Sequence, residues 1–175
     1  MAFNFKHLTE EVRMIMIEEV NLDFNNGNLY ISNRLSHYGK QIYPQLLLKS
    51  IKNGNEEDLA KSLEVYLNSH EQRKNPKGGY TLVKVSSTAA YTLAEGEFNR
   101  FYIRALCRVA LSSGKRLKVY RAQVSINPRR ESEMKIGKFI DARVLLEDLR
   151  SNSGVETALG LPPGPNSGLS VELVV

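Results

Sequence analysis

The sequence predicts an α+β fold, with an N-terminal helical layer packed on a small mixed sheet and one long central helix over residues 93–113. Three observations predict it. Apolar residues recur at helical spacing over much of residues 1–72, the clear strand signals begin at residue 80, and the longest helical pattern carries both a start and a stop signal. The 175 residues are expected to form a single domain, 1–175, with a helical part at 1–72 and an α/β part at 80–175.

Three signals predict helices in the N-terminal part. Thr9 precedes two glutamates and is typical of a helix start, with apolar residues following at helical spacing. Pro44 is expected at the beginning of a second helix that ends near Asn53. Asn55, followed by three acidic residues, indicates the start of a third helix. Residues 29–35 fit either a short strand or a helical turn.

The composition changes at residues 73–79, where basic residues, proline and glycine predominate. We interpret this stretch as a flexible connection that can act as a hinge, and a two-lobed arrangement divided here is the alternative to one body. Before the stretch lie helix signals, and after it residues 80–86 are rich in β-forming side chains and predict a strand.

The long helix has a start, a stop and an unusual face. Thr92 and the acid three residues after it have the spacing of a capping box, and Gly114 stands where a left-handed residue closes a last turn. Apolar side chains cover so much of the stretch between them that little is left for water. The remainder is a ridge of arginines at positions i, i+4 and i+8, namely Arg100, Arg104 and Arg108.

Shorter elements follow the long helix. Residues 117–124 predict a strand, which fits a βαβ unit with strand 80–86 or an antiparallel arrangement. Asp141 is expected to cap a short helix through Arg150. Proline and glycine exclude regular structure at 160–168. The alternating residues 169–174 predict a final strand that joins a sheet of this chain or of a neighbour.

Positive charge is concentrated in one quarter of the chain. Residues 100–143 hold 12 Lys or Arg against 3 Asp or Glu, whereas the whole chain has a net charge of only +5. Such clustering is typical of a protein that contacts phosphates or an acidic partner. Lys135, Lys138 and Arg143 extend the basic region. We expect the polyanion-binding residues to be Arg100, Arg104, Arg108, Lys115, Arg116, Lys118, Arg121, Arg129 and Arg130.

Two ordinary explanations compete with a binding surface. The ridge arginines can pair with Glu97 and with acids of the N-terminal helices, because arginines flanked by apolar positions often form buried ion pairs. The remaining cations can be a solvated face without a ligand. Patterns typical of RNP, KH and zinc-finger proteins are absent from the sequence, so no motif supports recognition of base edges.

Three classes of function fit these observations. The preferred one is a non-enzymatic binding or assembly protein that contacts nucleic acid or another polyanion through residues 100–143. The first alternative is a self-assembling component, a homo-oligomer in which the C-terminal strand completes a neighbour's sheet. The second alternative is a metal-dependent nuclease or phosphoryl-transfer enzyme that uses Glu131, Glu133 and Lys135, with Glu95 or Glu97 as a further acid.

The sequence assigns no catalytic residue, metal ligand or cofactor. His7, His37 and His70 are far apart and lack metal-binding spacing. The single cysteine, Cys107, fits a reducing compartment and is expected to be a core residue. Charged residues interrupt the first 20 positions, and no stretch reaches the roughly 18 apolar residues of a membrane span. The chain is therefore expected in the cytoplasm, without a membrane partner.

Overall fold

Helices come first along the chain and most strands follow, in an α+β arrangement that confirms the predicted fold class. The computed structural model describes residues 2–153 and 167–175, so most of the Pro- and Gly-rich stretch predicted at 160–168 lies outside the described residues. The described helices are α1 Glu10–Asn25, α2 His37–Asn53, α3 Glu56–Glu64, α4 Ala89–Ser113, α5 Arg130–Glu133 and α6 Ala142–Ser151. The described strands are β1 His70–Lys74, β2 Tyr80–Lys84, β3 Arg116–Arg121, β4 Phe139–Ile140 and β5 Leu169–Val174.

Two of the three N-terminal helices begin where the sequence predicts. Thr9 accepts a hydrogen bond within the first turn of α1, and Asn55 forms a reciprocal capping box at the start of α3. The predicted start of α2 was wrong, because that helix begins at Ser36 as its cap and contains Pro44 in its interior. An interior proline costs about 3 kcal/mol. Three side chains of α2 with 0% exposure offset that cost by packing in the core: Tyr43, Leu47 and Ile51.

Strands β1 and β2 form an antiparallel hairpin, called here the β-ribbon (residues 70–84), which is separate from the other sheet. Its turn is held by Asn75, whose side-chain oxygen accepts hydrogen bonds from the N–H groups of Lys77 (3.1 Å) and Gly79 (3.0 Å). Gly78 supplies the positive φ, 85°, that the turn requires. The stretch interpreted as a hinge therefore closes a hairpin. Strand β1 escaped prediction because its sequence, His-Glu-Gln-Arg-Lys, contains no β-forming side chain.

Helix α4 begins at Ala89, four residues before the predicted start. Thr92 is not its cap, because the Thr92 hydroxyl donates to the Thr88 carbonyl oxygen one turn earlier (3.1 Å). Two alanines, Ala89 and Ala90, extend the helix upstream, since alanine is the best helix former and both are buried. The predicted stop is confirmed: Gly114 is left-handed, with φ 70°.

The other three strands form one antiparallel sheet in the order β4-β3-β5. Strand β5 pairs with β3 over its whole length, from Arg116 opposite Val174 to Arg121 opposite Leu169. The sheet is thus antiparallel rather than mixed, and β2 belongs to the β-ribbon instead of a βαβ unit with β3. Periodicity could not separate these arrangements, because side chains alternate in the same way in parallel and antiparallel strands.

Helix α4 lies at the centre of the described structure, in contact with α1, α3, α6, β3 and β5. Helix α6 starts at its predicted cap, where the Asp141 carboxylate accepts a hydrogen bond from the Val144 N–H (2.8 Å). One hydrophobic cluster joins the helical part to the α/β part; its members include Met16, Val20, Leu47, Leu63, Phe98, Phe101, Leu106, Leu117, Leu149 and Val171. Among residues 2–153 and 167–175, no helix combines the length and apolar character that a bilayer crossing requires.

Candidate polyanion-binding surface

Arg104, at the middle of the arginine ridge, lies in the interior with 0% exposure. Its guanidinium group holds Asp23 through two hydrogen bonds, Nη1 to Oδ2 at 2.6 Å and Nη2 to Oδ1 at 2.9 Å. Its Nε donates to Oε2 of Glu19 at 2.9 Å. Glu19 and Asp23 are four residues apart on α1, so both carboxylates point toward the same side of α4. Arg104 therefore joins α1 to α4 and cannot reach an external phosphate.

Glu19 is shared by three arginines. Besides Arg104, it accepts hydrogen bonds from Arg108 (3.2 Å) and twice from Arg150 of α6 (2.6 and 3.0 Å). Burial alone would raise the pKa of Glu19, but the hydrogen bonds and positive charges of Arg150 and Arg104 outweigh it and lower that pKa below its ordinary value. Glu18 also pairs with Arg108, at 2.7 Å. We call these six residues the charge cluster, which contains three cations and three anions: Glu18, Glu19, Asp23, Arg104, Arg108 and Arg150.

Arg100, the first arginine of the ridge, is also buried. Its Nε lies 3.3 Å from Oε1 of Glu97, and its Nη1 donates to the carbonyl oxygens of Leu149 (3.3 Å) and Asn152 (2.7 Å). These carbonyls belong to the end of α6, where a cation satisfies free acceptors and offsets the negative helix terminus. Burial raises the pKa of Glu97 in spite of the nearby Arg100 charge. The ridge thus adopts the alternative arrangement, internal ion pairs, and only Arg108 remains partly exposed.

Four cations lie on or next to strands β3 and β4 of the three-stranded sheet. Arg116 and Lys118 come from β3, Lys115 precedes it, and Lys138 adjoins β4. Lys118 stands opposite Phe139 on β4 and Glu172 on β5, so these three side chains share one face of the sheet. These four residues, Lys115, Arg116, Lys118 and Lys138, are called the basic flank. Lys138 was outside the nine expected binding residues, because sequence spacing does not show that β4 pairs beside β3.

Phe139 is an exposed aromatic residue next to Arg116 and opposite Lys118. The Arg116 guanidinium lies 4.2 Å from the Phe139 ring centroid, and the ring is 51% exposed. The acid on this face, Glu172, already pairs with Lys6 at 2.6 Å. Within the described part of the chain, Lys115, Lys118 and Lys138 make no ion pair. The flank therefore presents uncompensated positive charge beside an aromatic ring.

The remaining expected residues lie at the other end of β3. Arg121 is half-buried; it pairs with Glu133, and its Nη1 donates to the Ser167 carbonyl oxygen at 3.0 Å. Arg129 is the half-buried residue that precedes α5, and Arg130 is exposed in its first position. The structure therefore divides the nine expected residues into three groups: internal ion pairs on α4, the basic flank, and this distal end.

Three carboxylates of the hypothetical nuclease site are bound by other side chains of the chain. Glu133 pairs with Arg121, Glu95 accepts a hydrogen bond from Gln123 (2.7 Å), and Glu97 is enclosed with Arg100. Residues 2–153 and 167–175 contain no group of three or more His, Cys, Asp or Glu side chains placed to hold a metal ion. Cys107 is fully buried, and burial raises the pKa of its thiol to about 12, which keeps it protonated at neutral pH.

The C-terminal strand has its outer edge occupied by its own chain. The Leu173 N–H donates to Nε2 of His7 (3.2 Å), the Asn99 amide donates to the Leu169 carbonyl oxygen (2.8 Å), and the Leu169 N–H donates to the Ser167 hydroxyl (3.2 Å). An edge strand recruits a partner through unpaired backbone groups. Side chains here bind three of those groups, which reduces the number left for pairing with a neighbour's strand.

No protein-family model, curated protein or solved structure matches this chain. Any functional conclusion therefore depends on the chain's own residues and their placement.

Proposed function

We propose that this chain is a non-enzymatic binding protein that contacts nucleic acid or another polyanion through its basic flank. One observation carries the proposal. The charge cluster balances its own charges, whereas the basic flank leaves its lysines without carboxylate partners in the described chain. Lysine and arginine without internal partners are the groups that exchange their counterions for phosphates.

The exposed ring of Phe139, next to Arg116 and opposite Lys118, supports nucleic acid over a simple polyanion. Phe139 is half-exposed and lies under the Arg116 guanidinium, so a base can stack where cations hold the neighbouring phosphates. Such binding requires neither metal nor cofactor. The single, buried Cys107 suits a reducing compartment such as the cytoplasm.

The test is fluorescence anisotropy with labelled DNA and RNA over a salt series from about 50 to 200 mM. The variant Lys115→Gln/Lys118→Gln/Lys138→Gln removes three charges from the flank. Because each lost phosphate contact lowers the slope of log K against log salt by about 0.9, we expect the slope to fall by up to about 3 and the affinity to fall with it.

The matched control is Lys49→Gln/Lys52→Gln/Lys61→Gln, which removes three exposed lysines from α2 and α3 and changes the net charge equally. This control should retain the wild-type slope. Equal losses in both variants would show that net charge alone attracts the polymer. Absence of salt-dependent binding by the wild type would overturn the proposed function.

A further inference from the structure

One face of the β-ribbon (residues 70–84) is fully exposed. Residues directly opposite each other in an antiparallel pair point to the same side. Tyr80 and Leu82 on this face are 69% and 67% exposed, so the face presents two large neighbouring side chains to solvent. The outer face consists of three cross-strand pairs, all exposed: His70 with Lys84, Gln72 with Leu82, and Lys74 with Tyr80.

The opposite face ties the β-ribbon to the body of the protein. Glu71 accepts hydrogen bonds from Arg34, Nε to Oε2 at 2.7 Å and Nη2 to Oε1 at 3.2 Å. The base is closed by the Val85 N–H, which donates to the Ser69 carbonyl oxygen (3.0 Å). A two-stranded hairpin alone is marginally stable in water. These contacts link the ribbon to Arg34 through the face opposite the outer face, which itself remains exposed.

The outer face carries only one sign of formal charge. Lys74 and Lys84 stand at its two ends and Lys77 lies in the exposed turn, whereas the face contains no Asp or Glu. Gln72 and Leu82 form the middle pair. The arrangement places cations at the margins and a hydrogen-bonding amide beside an apolar side chain at the centre. Its charge is complementary to a polyanion, and its centre suits the edges of stacked bases.

We propose that the β-ribbon enters the major groove of double-stranded DNA. That groove is about 12 Å wide and admits a two-stranded β-ribbon. Lys74 and Lys84 are four rungs apart, about 13 Å at the strand rise of about 3.3 Å per residue, and so reach phosphates at separate points of the groove. Gln72 is a side chain that pairs with the adenine edge, and Leu82 supplies an apolar contact for a thymine methyl group.

This inference builds on the proposed function, because it names duplex DNA as the polyanion and adds a second contact surface. Base edges in the major groove are reported by guanine N7, which lies on the groove floor. The experiment uses the full chain and a labelled mixed-sequence duplex of about 20 base pairs, two helical turns. It measures anisotropy across a salt series, and methylation of guanine N7 by dimethyl sulfate with protein at saturation.

Two ribbon variants separate base contact from phosphate contact. Gln72→Ala/Leu82→Ser keeps every charge, so we expect N7 protection to be lost and affinity to fall about tenfold with an unchanged salt slope. Lys74→Gln/Lys84→Gln keeps the middle pair, so we expect the salt slope to fall by about 1.8. Because Lys74→Gln/Lys84→Gln keeps Leu82, it still tests the inference if Leu82→Ser opens the hairpin. Lys49→Gln/Lys52→Gln is the charge-matched control.

The outcomes distinguish this inference from the proposed function. If both ribbon variants bind and protect N7 as the wild type does while the flank variant binds weakly, the ribbon inference is overturned and the flank remains. If the ribbon variants lose binding and the flank variant does not, the result supports DNA binding by the ribbon and overturns binding by the basic flank. Wild type that prefers single strands and leaves N7 reactive overturns groove entry. Wild type that binds no nucleic acid overturns both proposals.

Discussion

Glu19 shows how a single carboxylate can hold three helices together. It lies on α1 at 1% exposure and accepts hydrogen bonds from two arginines of α4 and one of α6. Removing a carboxylate from water costs free energy, and the ion pairs with the neighbouring arginines offset that cost only when all of them are in place. Its neighbour Asp23 depends on Arg104 for a bidentate pair. The charge cluster therefore acts as a unit, because the loss of one member leaves other charges of the cluster without their partners.

Replacing Arg104 tests that dependence. Arg104→Met keeps much of the side-chain volume but leaves Asp23 without its guanidinium partner and Glu19 with two arginines instead of three. Removing one partner of a buried ion pair costs about 3–5 kcal/mol, so we expect a loss of that size in the free energy of unfolding, measured with urea. Arg143→Met, at an exposed position on α6, is the control and should stay within about 0.5 kcal/mol. A cost for Arg104→Met as small as the control's would contradict the account.

At the scale of elements, α4 organises the molecule because it is buried on nearly every side. Fifteen of its 25 residues are buried, and it contacts both the N-terminal helices and the three-stranded sheet. A helix with so many partners must end at a defined residue, or the turn into β3 would lose its register. Gly114 provides that end, since its left-handed backbone is accessible to glycine at little cost.

Substitution of Gly114 should follow backbone preference rather than size. A Cβ at this position would meet no atom within 4 Å, so crowding does not contribute. We expect Gly114→Ala to lower the free energy of unfolding by about 1–2 kcal/mol and Gly114→Asn to cost less, because asparagine tolerates the left-handed region. Thermal or urea unfolding of both variants measures the difference. Equal costs for the two would show that the αL backbone of Gly114 does not limit stability.

For the whole molecule, the decisive feature is the separation of paired from unpaired charge. The charge cluster has a buried centre and equal numbers of cations and anions, so it contributes to stability and adds no net charge. The basic flank and the outer face of the β-ribbon present cations to solvent. Surface charge of one sign steers a polyanion toward the protein and makes its binding depend on salt. The net charge of +5 therefore understates what a partner would meet on these surfaces.

The decrease of the free energy of unfolding at acidic pH should depend on the charge cluster. Since the folded-state pKa of Glu19 lies below its ordinary value of 4.5, its contribution is fully present above that value and is lost as pH falls through the folded-state pKa. Urea unfolding from about pH 7 to about pH 3 should show a steeper loss for wild type than for Glu19→Gln, which has no carboxylate to titrate. Glu64→Gln, at an exposed position on α3, is the control and should keep the wild-type slope. The same pH slope in all three proteins would rule out Glu19 as the titrating group.

Signals that act over a few residues were predictable. The caps at Thr9, Asn55 and Asp141 and the stop at Gly114 each depend on neighbours within one helical turn, and each is confirmed. The predicted start of α4 was wrong because a capping-box spacing also occurs inside helices. The β-ribbon was missed although its Asn-Pro-Lys-Gly-Gly turn separates two five-residue strands, because one of those strands has a composition typical of a loop.

The α+β class, the concentration of charge between residues 100 and 143, and most helix ends were predictable, because composition, periodicity and caps are local properties. Which cations face solvent depends on contacts between distant parts of the chain. The carboxylates that enclose Arg104 lie 81 and 85 residues away in the chain, and no local pattern encodes a contact at that separation. The pairing of β4 beside β3, which places Phe139 opposite Lys118, likewise joins residues that are distant in the chain. The same pattern of arginines fits a phosphate-binding surface and a set of internal ion pairs. The packing of α1 against α4 produces the internal ion pairs.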